Sequence, residues 1–324
     1  MSETLPVSVI IAAYNRPQMT RQAVLSALGQ RPLAPAEVIV VDDCSHDDTG
    51  PLAAQAGARV IRHERNQGEG AARNTGVAAA TQPWLAMLDS DDEWLPSHLA
   101  TLWPLCADHV LVAGSALWCA DDGTSFRYEG LVRRRPVTLR SPAALLYPGN
   151  YLPLSATMAR ADVVRRVGAF DPTLRFGADL DLWLRVLEHG QGVMSPTPVV
   201  RYRVHAGQVT QDRDGTARAH LGVLHRYEDR PWWSAARVEA WRGAAAWDRL
   251  RRELTNRRRA DALRSAAFAA RRPERAAGLA GLLARRFLLR RRTERMRRLS
   301  DGRHGLAGRP VSTLPTRRET KERR

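Results

Sequence analysis

Closely spaced carboxylates are the residues of this chain most suited to chemistry. Leu88-Asp89-Ser90-Asp91-Asp92 follows an apolar run and sets Asp89 and Asp91 two positions apart. In extended or turn geometry both carboxylates reach one hard cation. Mg2+ or Mn2+ takes only one or two protein carboxylates and completes its shell with phosphate oxygens and water. An acidic turn capping a helix that begins near Pro96 is the plainer reading of the same residues. A second cluster, Asp42-Asp43-Cys44-Ser45-His46-Asp47-Asp48, ends another apolar run. Carboxylates there can accept from a nucleobase N–H or from ribose hydroxyls, whereas Asp47 and Asp48 read as a turn and helix cap before Pro51. A third segment, residues 66–80, is rich in glycine and alanine. Its glycines let backbone pass close to a ligand, and Arg73 and Asn74 sit one turn into the helix they open. Its spacing fits neither the dinucleotide nor the P-loop pattern.

These clusters need a scaffold, and the pattern supplies one. Residues 7–11, 37–41, 59–62 and 84–88 read as short buried strands, with helices over 18–28 and 70–80. Continuous apolar strands alternating with helices predict a parallel sheet covered on both faces. Ligands of such sheets bind outside the carboxyl ends of the strands. The polar clusters at 12–16, 42–48 and 89–92 all fall there. Farther on, strands are expected at 110–113, 155–159 and 199–204, and helices at 162–167 and 179–188. Leu180, Trp183, Leu184 and Leu187 form one apolar face of the last of these helices.

Composition narrows the classes. With 324 residues, 44% apolar and 26% charged, the chain can build a core, so wholesale disorder is excluded. No 18-residue apolar run exists to span a membrane. The residues before the first apolar run lack the basic start of a signal peptide. Cys44, Cys106 and Cys119 are odd in number and lack metal-type spacing, which predicts reduced thiols and a cytoplasmic protein.

The charge is lopsided. Residues 1–215 hold 20 Arg against 23 Asp and Glu, while residues 216–324 hold 30 Arg and Lys against 11 acids. Lys321 is the one lysine, so part of this Arg usage can reflect coding bias. The domain reading is a catalytic unit over 1–215, a basic Arg/Ala/Leu-rich helical extension over 216–300 and a disordered tail over 301–324. Within 277–299, Leu279, Leu282, Leu283 and Phe287 make an apolar stripe flanked by arginines. Such a helix suits the anionic inner face of a membrane; packing without lipid is the alternative, and nucleic acid is the weakest of the three. Trp232, Trp233, Trp241 and Trp247 suit either interfacial anchoring or packing on the catalytic unit.

The ordered set VSVIIAAYNR, EVIVVDDCSHDDT, NQGEGAARNTG, WLAMLDSDD and GAFDPTLRFGADLDLWLR resembles the family 2 glycosyltransferases over about residues 6–210. The resemblance implies a GT-A fold: a Rossmann-like, mostly parallel α/β sheet flanked by helices. Its donor half would span 1–115 and its acceptor half 116–215. It implies a nucleoside diphosphate sugar as donor, with UDP or dTDP favoured, and transfer with inversion to a hydroxyl of a cell-envelope glycan or a lipid-linked acceptor. By the same resemblance, Ala12, Tyr14, Asp42 and Asp43 hold the base, and Gly70, Arg73 and Asn74 lie near ribose and diphosphate. Asp89 lies near both the ribose of the nucleotide sugar and the Mg2+ or Mn2+, Asp91 ligates that ion directly, His205 is a further metal or diphosphate contact, and Asp92 supports the loop. Asp179 matches the catalytic base, which takes the proton of the attacking hydroxyl. The N-terminus of a helix favours a negative charge there. Asp181 reads as a partner of the helix dipole. Relatives place Glu beside that base; this chain has Ala178. The competing expectation is a degenerate scaffold that binds a partner or nucleic acid through its basic tail.

Overall fold

The computed structural model describes residues 3–120, 125–129, 135–146, 152–205, 208 and 212–255, with 265, 267–268 and 274–276 beyond them. The strands are β1 (Glu3–Ala13), β2 (Leu33–Asp42), β3 (Arg59–Arg62), β4 (Trp84–Met87), β5 (Glu93–Trp94), β6 (Leu111–Cys119), β7 (Ser125–Glu129), β8 (Val137–Leu139), β9 (Thr157–Arg160) and β10 (Gly192–Arg203). The helices are α1 (Pro17–Leu28), α2 (Thr49–Gln55), α3 (Glu69–Ala79), α4 (His98–Leu102), α5 (Ala161–Arg166), α6 (Ala178–Leu187), α7 (Arg213–His225) and α8 (Ala235–Thr255). All ten strands join one sheet in the order β3-β2-β1-β4-β9-β6-β10-β5, with β7 added to β6 and β8 to β10.

The expected parallel half is present: β1 pairs in parallel with both β2 and β4, and β2 with β3. The sheet then turns mixed, because β9 runs antiparallel to β4 and to β6. Strands β6 and β10 are parallel and extend well beyond their expected 110–113 and 199–204.

The core follows the pleat. Along β1, Val7, Val9 and Ile11 pack with Ala23, Val24 and Ala27 of α1, Ala53 of α2 and Leu99 and Leu102 of α4. Ile10 faces the other side, joining Ala72 and Val77 of α3, Val163 and Val164 of α5 and the apolar face of α6. Strands buried on both faces must be apolar at every position, which is why these runs do not alternate.

The basic C-terminal part begins inside this core. Val223, Leu224, Tyr227, Val238 and Trp241 share the cluster of α6. Trp232 Nε1 donates to Glu188 and Trp233 Nε1 to the Leu224 carbonyl. Residues 277–299 and the tail lie outside the described residues. No helix among the described residues is long and apolar enough to cross a membrane.

Candidate active site

The parallel strands β1, β2 and β4 end on one edge of the sheet, and each delivers polar side chains to it. Ala12 and Ala13 close β1, after which Asn15 turns the chain with φ 49°. Tyr14 projects from this turn 41% exposed, with His46 edge-on at 6.5 Å. An aromatic left this open at a strand end offers a stacking face for a flat ring.

At the end of β2 the two aspartates have internal work. The Asp42 carboxylate is fully buried, accepting from the Ser45 N–H at 2.9 Å and pairing with Arg62. Asp43 accepts from the backbone N–H groups of Gln67 and Gly68 at 2.9 and 2.8 Å, and its Oδ1 lies 2.7 Å from His63 Nδ1. Three of the roughly four lone-pair positions of Asp43 are thereby used, leaving one on Oδ2. The pair thus holds the 45–49 turn and the loop before α3.

Helix α3 rises from that loop, and Gly68 supplies the φ of 89° at its start. Gly70 does admit a close backbone, that of Pro172: a Cβ at 70 would lie 3.1 Å from the Pro172 Cα. Asn74 exchanges two hydrogen bonds with the Phe170 backbone, at 2.8 and 2.9 Å. Gly70 and Asn74 therefore hold the segment that leads into α6. Arg73 turns into the cleft, bonded to Asp89 at 2.7 Å and to Glu69, with the Phe170 ring 5.4 Å away. Burial opposes its charge, but Glu69, Asp89 and Asp179 together hold it firmly protonated.

After β4 the chain makes a tight acidic turn, with the Asp92 N–H donating to the Asp89 carbonyl at 3.0 Å. None of its three aspartates caps α4, whose preceding residue is Ser97. Asp92 is buried, accepting from Ser155 Oγ at 2.6 Å and from the Arg203 N–H at 3.1 Å. Ser155 also accepts from the Asp89 N–H, and this pull keeps it in a helical turn ahead of β9. Asp91 meets Arg16 at 2.7 Å and His205 Nε2 at 2.9 Å, both on one oxygen.

The turn is crowded with buried carboxylates, even with Arg16 and Arg73 against it. Ligand atoms of Asp89, Asp91 and Asp92 lie within 4.8 Å of one another. Burial, Glu69 and Asp91 raise Asp89 to about 6 in spite of Arg73. Asp92 is pushed well above the usual carboxylate range, by burial and then by Asp91 and Asp89. Crowded carboxylates whose charge is disfavoured, with a histidine nitrogen beside them, fit Mg2+ or Mn2+.

Asp179 stands in the first turn of α6, where its Oδ1 accepts from the Leu180 N–H at 2.8 Å. It acts electrostatically on Arg73, which in turn bonds Asp89, so the acidic turn and the start of α6 lie on either side of one guanidinium. Asp181 is buried elsewhere, paired with Arg185 at 2.6 Å and accepting from Tyr227 Oη at 2.8 Å. Ala178 is packed in the core of α6.

The family model for glycosyl transferase family 2 matches residues 8–167. Succinoglycan biosynthesis protein ExoO of Rhizobium meliloti is 30% identical over 243 residues, covering 68% of this chain and 68% of that protein. The chain belongs to glycosyl transferase family 2. ExoU of the same organism is 33% identical over 207 residues, 57% of each chain. Pre-mycofactocin glycosyltransferase of Mycobacterium tuberculosis is 33% identical over 194 residues, 57% of this chain and 39% of that one. The chain thus spans only part of the length of these last two relatives. Mannosyltransferase PcManGT of Pyrobaculum calidifontis, in complex with GDP-Man and Mn2+, aligns over 89% of this chain and 84% of its own, with TM-score 0.57 and 18% identity. S. aureus TarS 1-349 in complex with UDP-GlcNAc aligns over 81% and 89%, with TM-score 0.52 and 14% identity. Those two likenesses are of fold, and the fold of this glycosyltransferase is GT-A.

Arg16 and Ser155 went unremarked in the sequence, although both touch the acidic turn of this glycosyltransferase. Arg16 stands 75 positions before Asp91, and Ser155 lies 63 after Asp92. Arg16 follows the strand-end Tyr-Asn pair, and that placement was the available signal. Ser155 carried none, because a lone serine at a strand start is commonplace.

Proposed function

We propose that this glycosyltransferase moves a sugar from a nucleoside diphosphate sugar, UDP or dTDP favoured, to a hydroxyl of a cell-envelope glycan or lipid-linked acceptor, with inversion. The observation that carries the proposal is Arg73, which bonds Asp89 and feels Asp179, so the donor and acceptor sides converge on one guanidinium. Residues 1–115 form the donor half and 116–215 the acceptor half. The names of ExoU and ExoO, succinoglycan biosynthesis proteins, support a glycan acceptor, and the UDP complex of TarS supports the donor class. Contact of residues 277–299 with the inner face of a membrane belongs to the same proposal.

In this reading Tyr14 lies against the base beside Ala12, and the free lone pair of Asp43 accepts a uracil or thymine N3–H. Asp42 keeps the turn beneath them in place. Asp89, Asp91 and His205 hold Mg2+ or Mn2+. Bound there, such an ion neutralises the departing diphosphate as a Lewis acid. Asp179 takes the proton of the acceptor hydroxyl as that oxygen attacks the anomeric carbon on the face opposite the leaving group. Arg73, with Gly70 and Asn74 below it, keeps α3 and the start of α6 in register.

Thermal-shift measurements with UDP-, dTDP- and GDP-sugars, each with and without Mn2+, test the donor side. The expected result is stabilisation that needs both a uracil or thymine nucleotide and the metal. No stabilisation by any donor would favour the degenerate scaffold. On the acceptor side, Asp179→Asn is expected to abolish transfer while the protein stays folded and keeps its donor affinity.

A further inference from the structure

Helix α7 lies beyond residues 8–167, and it carries a group that the reading above does not use. His220 packs its ring against Gly177, the residue that starts α6 with φ 76°. A Cβ at 177 would stand 2.8 Å from His220 Cδ2 and 3.6 Å from its Nε2. That contact leaves room only for glycine, two residues from Asp179. On its other side the ring meets Trp241 of α8 edge-on, at 5.7 Å and 80°. The imidazole is therefore fixed between the start of α6 and a buried indole. Burial draws its pKa below the ordinary histidine range, and the charge of Asp179 works against that. Of its neighbours, Gly177 and Trp241 carry no charge; Asp179 is the charged group that acts on it.

We infer that His220 is a positioning residue for Asp179, a neutral imidazole from the C-terminal helices that receives the proton the base removes. The inference rests on Asp179 being the base. As transfer proceeds, the acceptor oxygen forms its bond to the anomeric carbon and gives its proton to Asp179. The bond from that carbon to the β-phosphate oxygen breaks, and its electron pair leaves on the nucleoside diphosphate. The proton then passes from Asp179 to His220 and out to water, and Asp179 returns to its carboxylate form. A helix N-terminus favours the charged form of a carboxylate; a second proton acceptor beside it makes the proton's departure easier.

The physical link is tested without substrate, by following the His220 ring through a pH titration by NMR in the intact protein. Asp179→Asn is expected to lower its midpoint, since the carboxylate that supports the imidazolium is gone. An unchanged midpoint overturns the inference. The functional arm uses His220→Gln, which keeps a polar side chain against Gly177. It is expected to bind UDP with Mn2+ as the parent does in thermal shift. Its turnover should fall about 10- to 100-fold, the size of loss seen when a supporting partner of a working group is removed. The limb of the pH–rate profile that tracks the His220 titration should vanish with it. Parental turnover and profile in His220→Gln, beside an inactive Asp179→Asn, overturn the role of His220 and leave the base in place. An active Asp179→Asn would instead unseat the base.

Discussion

The ends of β2 and β4 carry the same kind of sequence, an apolar strand running into consecutive aspartates, yet they have opposite electrostatics. At β2, Asp42 and Asp43 are matched by Arg62, His63 and three backbone N–H groups. At β4, Asp89, Asp91 and Asp92 crowd together, and Asp89 is driven up to about 6. Carboxylates satisfied by donors chiefly hold the fold, as Asp42 does, whereas carboxylates crowded on one another in a buried turn have the chemistry that suits a divalent cation. A count of acidic residues misses this distinction; burial and the mutual crowding of three carboxylates, which push Asp89 and Asp92 upward, make it.

The sharpest way to break the comparison is to remove one carboxylate from each end. Asp91→Asn should lower sugar transfer by about 10²–10³-fold, the usual cost of losing one preorganised electrostatic contact. Stabilisation by Mn2+ should disappear with it. The melting temperature without metal should change little, because relief from the neighbouring Asp89 and Asp92 is offset by the lost pairing with Arg16 and His205. Near-parental turnover in Asp91→Asn would place the metal elsewhere. Asp42→Ala should do the reverse. It leaves the Ser45 N–H buried and Arg62 without its partner, at a cost of about 1–3 kcal/mol in urea unfolding, while saturating donor still restores turnover. Arg62 is 51% exposed and can turn to water, which keeps the cost toward the lower end.

The fold of the first 115 residues was legible because the inner parallel strands β1, β2 and β4 are buried on both faces and so announce themselves as apolar runs. Residues 59–62 emerge as β3 with the expected bounds, and the three polar clusters do share one edge. Legibility fell where pairing is long-range. β9 inserts antiparallel between β4 and β6, and nothing local in Thr157–Arg160 specifies that neighbourhood. Gly70 and Asn74, expected near ribose and diphosphate, also meet Pro172 and Phe170, about 100 positions away, a contact that no local pattern reaches. In α7 and α8 the apolar pattern is diluted: alanine, glycine and charged residues fill most positions, and the core positions, such as Leu224 and Trp241, are sparse among them.

The scaffold beneath the acidic turn offers a pH test of intermediate size. His98 is fully buried and stacks on Trp94 at 3.7 Å, and Trp94 Nε1 donates to the Ser155 carbonyl. Ser155 in turn holds Asp92 and the Asp89 N–H. Burial lowers the His98 pKa from 6.5 to about 3, in spite of its hydrogen bond to the Val199 carbonyl. A depressed value means that the unfolded chain binds the proton first. Stability is therefore intact above about 6.5 and falls as pH drops toward 3, by about tenfold in the folding equilibrium per pH unit. Urea titrations from pH 7 to 5 should show that slope, and His98→Phe should flatten it. A slope unchanged by the substitution would assign the acid sensitivity to the carboxylates instead.

The smallest effect lies four residues from Asp43. Asp47 is exposed, and its Oδ1 accepts from both the N–H and the hydroxyl of Thr49 at the start of α2. Thr49 Oγ1 in turn accepts from the Arg16 N–H, which ties this turn to the end of β1. Asp47→Ala should therefore cost the ordinary penalty for losing a helix-start contact, about 0.5–1 kcal/mol, with turnover and donor affinity unchanged. Should Asp47→Ala weaken donor binding more than it weakens folding, the turn would reach the nucleotide directly. The working end of the site would then extend past Asp43 into a stretch whose aspartates otherwise serve only to start a helix.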